Sequence, residues 1–159
     1  MILHYLLQNR ILIDGIAFGF NEERDAVRLK LQGVYTPDDQ IIHLGNSETE
    51  SIYQRRDSYK DFNHTKNLFF LNYDTNDRLS EVEVHFCDQI TVVSTLFDFN
   101  DNLDYIASII SEHSQKISHS DGEYFFKDLK IVIMDKQKMG GEGITLGYFY
   151  CASDVTHLE

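Results

Sequence analysis

The chain has 159 residues, 42% of them hydrophobic, with 9 Tyr and 11 Phe. That is enough apolar material for a single domain over residues 1–159 with its own core, and too much for an acidic disordered tail. Fourteen Lys and Arg against 26 Asp and Glu give a net charge of −12, the wrong sign for a surface that grips nucleic acid or an anionic membrane.

Residues 1–7 are mostly apolar but hold His4, and no basic stretch or small-residue cleavage site accompanies them. They read as a strand and not as a secretory signal, so the cytoplasm is the expected compartment. After a polar break at Gln8-Asn9, a second extended run passes through Ile11 and Ile13. Asn21 then suits a helix N-cap, with Glu22 and Glu23 at the positive helix end. The helix expected over residues 22–31 pairs Val27 with Leu31, and Gly33 is its expected stop.

Residues 36–65 are the least periodic stretch and hold the single proline, Pro37. Strands are expected at 40–44 and 51–59, and this insertion is the expected seat of specific contacts. Within it Tyr53, Arg55, Asp57 and Tyr59 alternate onto one strand face. Leu68–Tyr73 and Leu79–Phe86 are stronger strands, joined by the turn sequence Asp74-Thr75-Asn76-Asp77. Val82, Val84 and Phe86 alternate with Glu81, Glu83 and His85, one face dry and one wet.

Beyond Asp88-Gln89 the pattern starts again. Asn100 is the expected cap of a helix whose Leu103, Ile106, Ala107 and Ile110 form one buried stripe. Strands follow at 123–127, 129–134 and 144–151, the last two joined by a basic, Gly-rich hairpin loop. No run reaches the eighteen or so apolar residues that span a bilayer, so no membrane contact is expected. Cys87 and Cys151 each close a final strand; they are too few for a disulfide scaffold and are expected to be buried and free.

The restart is in register. Phe18, Phe20 and Asn21 recur as Phe97, Phe99 and Asn100 at one constant spacing, and at the same spacing Ile11 and Leu31 match Ile90 and Ile110. The fold expected is therefore α+β: two tandem (β)αβββ repeats, at about residues 1–86 and 80–151, forming one antiparallel sheet with two helices on one face.

Chemistry-bearing patterns are sparse. Seven histidines form no His-x-x-x-His pair and no Cys-x-x-Cys is present, so no metal site is expected. Gly140-Gly141-Glu142-Gly143 lacks the Lys and the following helix of a phosphate loop and reads as a hairpin turn, so no cofactor is expected either. With no nucleophile motif, enzymatic activity is not expected. Strand-borne tyrosines are more informative, because Tyr gives large contact area at low entropy cost and is enriched at interfaces.

The segment Gly15-Ile16-Ala17-Phe18-Gly19, then the helix over 22–31, then Gly33, with a following meander and a second copy that keeps Phe97, resembles the helix-plus-sheet unit of β-lactamase-inhibitor proteins and the small outer-membrane assembly lipoprotein. The secretion signal, lipid-attachment Cys and disulfides of those families are missing here. In its acidic character the chain is similar instead to bacterial immunity proteins. That resemblance implies a stoichiometric inhibitor of a basic toxin domain, such as a nuclease, acting as a monomer or weak homodimer. The contact residues expected are Tyr53, Asp57, Tyr59, Asp61, Glu81 and Glu83. The alternative is a small-molecule-binding or enzymatic domain with a pocket between sheet and helices.

Overall fold

The structure is a computed structural model that describes residues 1–6, 9–43 and 51–158; Leu7 and Leu44, which the expected strands include, and Gln8 of the expected polar break lie outside the described residues. The chain begins with β1 (Ile2–Leu6), β2 (Arg10–Ile13), β3 (Ile16–Gly19), α1 (Arg24–Leu31) and β4 (Tyr35–Pro37). Next come β5 (Gln40–His43), β6 (Ser51–Gln54), β7 (Arg56–Lys60), β8 (Leu68–Tyr73) and β9 (Leu79–Phe86). A hairpin of β10 (Gln89–Val92) and β11 (Thr95–Asp98) leads to α2 (Leu103–Ser111). Four strands follow, β12 (Ile117–Ser120), β13 (Glu123–Phe126), β14 (Ile131–Asp135) and β15 (Leu146–Ala152), and then a short 3-10 turn at Thr156–Leu158.

Among the described residues the fold is mixed α+β, mostly strands with two α-helices, but the strands do not join into the one sheet expected. Eight of them form an antiparallel sheet in the order β12-β13-β14-β15-β9-β8-β7-β4. Five more form a second sheet, β11-β10-β1-β2-β3, in which β1 and β10 run parallel. The cause lies in the extended run before each helix. Asp14 and Gly15 both hold positive φ (48° and 82°), the backbone of a tight two-residue hairpin turn, so this run folds back as β2–β3. Val93, at φ 59°, opens a second two-residue turn that folds β10 back as β11. Both hairpins flank β1, away from the larger sheet.

One core serves both sheets and both helices. It joins Leu3, Ile11 and Ile90 of the smaller sheet to Phe69, Val82 and Phe149 of the larger, with Val27 and Leu31 of α1 and Ile106 and Ile110 of α2. Positions related by the repeat spacing make matching bonds. Phe18 lies opposite Ile11 and Phe97 opposite Ile90. The N–H of Phe20 donates to Asn9 O and that of Phe99 to Asp88 O, both at 3.1 Å.

The helix starts fall later than expected. Asn21 sits in a turn at φ 70°, and the N-caps are Glu23 and Asn102; only Asn102 caps with its side chain, accepting from Asp104 N and Tyr105 N at 2.9 and 3.2 Å. At the far end of α1, Gln32 takes the left-handed conformation at φ 49°. Gly33 instead makes room: a Cβ there would lie 2.7 Å from the Phe62 ring. Cys87 and Cys151 are buried and free, and burial pushes the Cys87 thiol up to about 12.

Candidate interaction surface

In the larger sheet the strand period of two sends alternate side chains away from the core. A cross-strand row on this outer face runs Phe70, Glu83, Tyr150, Val132, Phe125. Carboxylates and histidines stand beside the aromatics. Asn72 spends both protons of its amide on Glu81 (2.9 Å) and Glu83, so the two acids are held side by side. His85 Nε2 is 3.7 Å from Glu83, with its ring edge-on to Phe70 and Tyr148 at 5.0 and 5.3 Å. His157 Nε2 lies 3.9 Å from Glu81 and 3.4 Å from the Tyr150 hydroxyl.

Burial acts to raise the Glu83 carboxyl, but the His85 ring, the Asn72 amide and the charge of Arg56, which lies 4.4 Å over the Phe70 ring, together outweigh it and hold it below the usual carboxylate range. Tyr148 and Tyr150 are pushed the other way, first by burial and then by the charges of Glu83 and Glu81, so both stay protonated donors. The face thus offers anionic acceptors set among rings. That combination suits a cationic side chain with an apolar stem.

Over this face stands a separate two-stranded ribbon of β5 and β6. Ile41 pairs with Tyr53 and Ile42 with Ile52, so both sides of the ribbon are apolar. All four are exposed: Ile41 by 59%, Ile52 by 53%, Tyr53 by 51% and Ile42 by 38%. None of the ribbon's eight described residues carries a formal charge, in a chain where a quarter of all residues do. Ile42, Ile52 and Tyr53 share one groove of about 280 Å³ with Arg55, Asn72, Glu81 and Glu83, the Arg55 guanidinium lying 5.5 Å over the Tyr53 ring.

A two-stranded hairpin is marginal in water by itself, and this one is held at its root. Arg24 donates to both oxygens of Asp39 at 2.8 and 2.9 Å, and Arg56 N donates to Asp39 at 3.0 Å. Asp38 accepts from the Arg56 guanidinium at 2.5 Å and from Gln54 at 3.2 Å. Behind them Asp57, fully buried, takes hydrogen bonds from Arg24 at 2.7 Å and from Arg28 at 2.7 and 2.8 Å.

The six expected contact residues divide. Tyr53, Glu81 and Glu83 come together at the groove. Asp57 and Tyr59 do not belong to any surface. Both are 0% exposed: Asp57 neutralises two arginines, and Tyr59 stacks on Phe69 at 4.8 Å between ring centroids. The expected common face of Tyr53 to Tyr59 fails because pairing breaks at Arg55, which sends Tyr53 into the ribbon and Asp57 and Tyr59 into the core. Asp61 is exposed and opens a short turn at φ 54°. Ile41, Ile42 and Ile52 complete the ribbon's exposed apolar surface; their signal in the sequence is a pair of uncharged tetrads, each with two adjacent apolar residues, inside the least periodic stretch.

Among the described residues no group of three or more His, Cys, Asp or Glu is placed to hold a metal ion, and no helix is long and apolar enough to cross a membrane. Comparison of the chain with protein-family models, with curated proteins and with solved structures found no match.

Proposed function

We propose that the chain is a protein-binding inhibitor that docks a basic protein domain, in the manner of an immunity protein occluding a toxin. The observation that carries this reading is the uncharged ribbon, apolar on both sides and half exposed, standing over paired carboxylates in a chain of net charge −12. Depletion of charge around aromatic and aliphatic anchors is the composition of an interface core, and an acidic surround speeds encounter with a basic partner. The alternative of a ligand pocket between sheet and helices meets side chains of Val27, Leu31, Ile106 and Ile110 that are 0–3% exposed and fill that space.

Two finer points belong to the same proposal. The matched hydrogen bonds of Phe20 and Phe99 support reading the halves as a duplicated (β)αβββ unit. Two buried free thiols support a reducing compartment, hence the cytoplasm.

The test is to isolate the partner from the native host, then titrate the purified pair by calorimetry while following the partner's own activity. The expected result is a one-to-one complex with a basic domain whose activity falls as the complex forms. An acidic partner, or a partner fully active when saturated, overturns the reading.

A further inference from the structure

Sheet edges present unpaired backbone groups, and folded chains commonly blunt them. Three of the four edges of the two large sheets are blunted here. β4 is three residues long and ends in Pro37, which has no N–H to offer. At β3 the N–H of Gly19 is taken by Glu22 at 2.9 Å, and at β11 that of Asp98 is taken by Asp101 at 3.0 Å. The fourth, β12, carries no such device. All four of its residues are exposed, it pairs only with β13 among the described residues, and it contains no proline and no charged residue.

Its polarity is also fixed. Lys127 N donates to Lys116 O, so Lys116 turns its backbone toward β13. By alternation, Ile117 and His119 turn their N–H and C=O outward. Charge is present at both ends of the edge. Lys116 and Lys127 lie opposite each other at one end, with Asp128 accepting from Gln115 N at 2.8 Å beside them, and Glu123, opposite Ser120 at the other end, is 4.0 Å from Lys138. Such an edge can meet itself under a two-fold axis normal to the sheet, and antiparallel pairing brings Lys116 of one copy toward Glu123 of the other.

We infer that β12 is a homodimer edge, pairing antiparallel with β12 of a second copy about Ser118. In this register Ile117 of each copy faces His119 of the other, each pair exchanging two N–H···O bonds. Lys116 then crosses the small Ser120 of the second copy toward its Glu123. The apolar groove of about 550 Å³ beside the edge, lined by Ile117, Phe125 and Leu158, is covered by the same contact. The Pro37 edge at the other end of the sheet stops growth at two copies. Like net charges of −12 oppose association, so the dimer is weak.

Sedimentation equilibrium of the purified chain from roughly 1 to 500 μM tests this, and should show a monomer–dimer equilibrium whose midpoint falls within that range. His119→Pro removes an outward N–H without touching a bond to β13, and should leave a folded monomer throughout the range. Lys116→Glu and Glu123→Lys should each weaken the dimer roughly tenfold, and the double exchange should restore it. A monomer at every concentration overturns the inference. So does a dimer that survives both His119→Pro and Lys116→Glu, which places the contact on another surface. A monomer whose partner complex is lost on His119→Pro assigns the edge to a foreign strand, and also overturns the second-copy assignment.

Discussion

Asp39 receives two hydrogen bonds from Arg24, at 2.8 and 2.9 Å, and through them the ribbon is tied to the first helix. The same guanidinium reaches the buried Asp57, so one side chain joins helix, ribbon and sheet. The two acids should respond differently to removal. Asp57→Ala leaves Arg24 and Arg28 partly buried with their shared anion gone, and should cost about 3–5 kcal/mol. Asp39 is about one-third exposed and Arg24 keeps Asp57, so Asp39→Ala should cost only about 1–2 kcal/mol. Its clearer effect should be faster hydrogen exchange in the ribbon than in the large sheet. Equal protection of both regions would show that the ribbon is held by something else.

Acid should undo this arrangement in a defined direction. Burial acts to raise the Asp57 carboxyl, but Arg28 and Arg24 overcome it and hold the group below its ordinary value; Asp39 is lowered chiefly by Arg24. A carboxyl depressed in the folded state contributes its full stability above the unfolded pKa of about 3.9 and loses it as pH falls through the folded value. Chemical-denaturation midpoints should therefore hold between about pH 5 and 7 and drop below about pH 4. Asp57→Asn should give a lower plateau and a shallower acid limb. An unchanged slope would assign the acid sensitivity to other carboxylates.

Elements with one dry face were legible in the sequence, and the sheet assignment was not. Leu68–Tyr73 and Leu79–Phe86 alternate cleanly, and the stripe of α2 is regular, so these elements lie where periodicity puts them. Periodicity says nothing about which strand finds which partner. The parallel pairing of β1 with β10 joins residues near Leu3 to residues near Ile90, a choice made by packing both hairpins on one core. Asp14-Gly15 was a readable hairpin signal hidden inside an otherwise continuous apolar run. Gly33 reads as a helix stop, yet its requirement is the approach of the Phe62 ring, a contact with a distant part of the chain that no local pattern encodes. At the surface, Glu81 and Glu83 were readable from alternation. Asp57 was misread because a buried acid and an exposed one look alike until their arginines are placed.

The thiols should behave as core side chains. Cys87 is raised to about 12 by burial first, and Cys151, fully enclosed, is raised by burial alone. The thiolate is the reactive form, so native labelling at pH 8 should be slow at both sites and limited by opening of the fold. In denaturant both should react fully within the mixing time of the reagent. Rapid native labelling of either cysteine would mean that its strand end opens far more often than the packing implies.

The interface itself can be examined by truncating the ribbon. Ile52 and Tyr53 are half exposed and contribute little to the core, so Ile52→Thr, which keeps a β-branched residue in the ribbon, and Tyr53→Ala should change folding stability by no more than about 1 kcal/mol. If they are anchors, each should weaken the partner complex by about 1–3 kcal/mol, chiefly through faster dissociation. Glu81→Gln should act on both rates. It removes one charge that steers encounter, so it should slow association and flatten its salt dependence, and as one of the groove's acceptors it should also speed dissociation, by less than the ribbon variants do. Stopped-flow association at low and high salt, with dissociation measured by competition, separates the two. Ribbon variants that bind as the parent does, alongside a Glu81→Gln variant that does not, would move the contact off the ribbon and onto the sheet face alone.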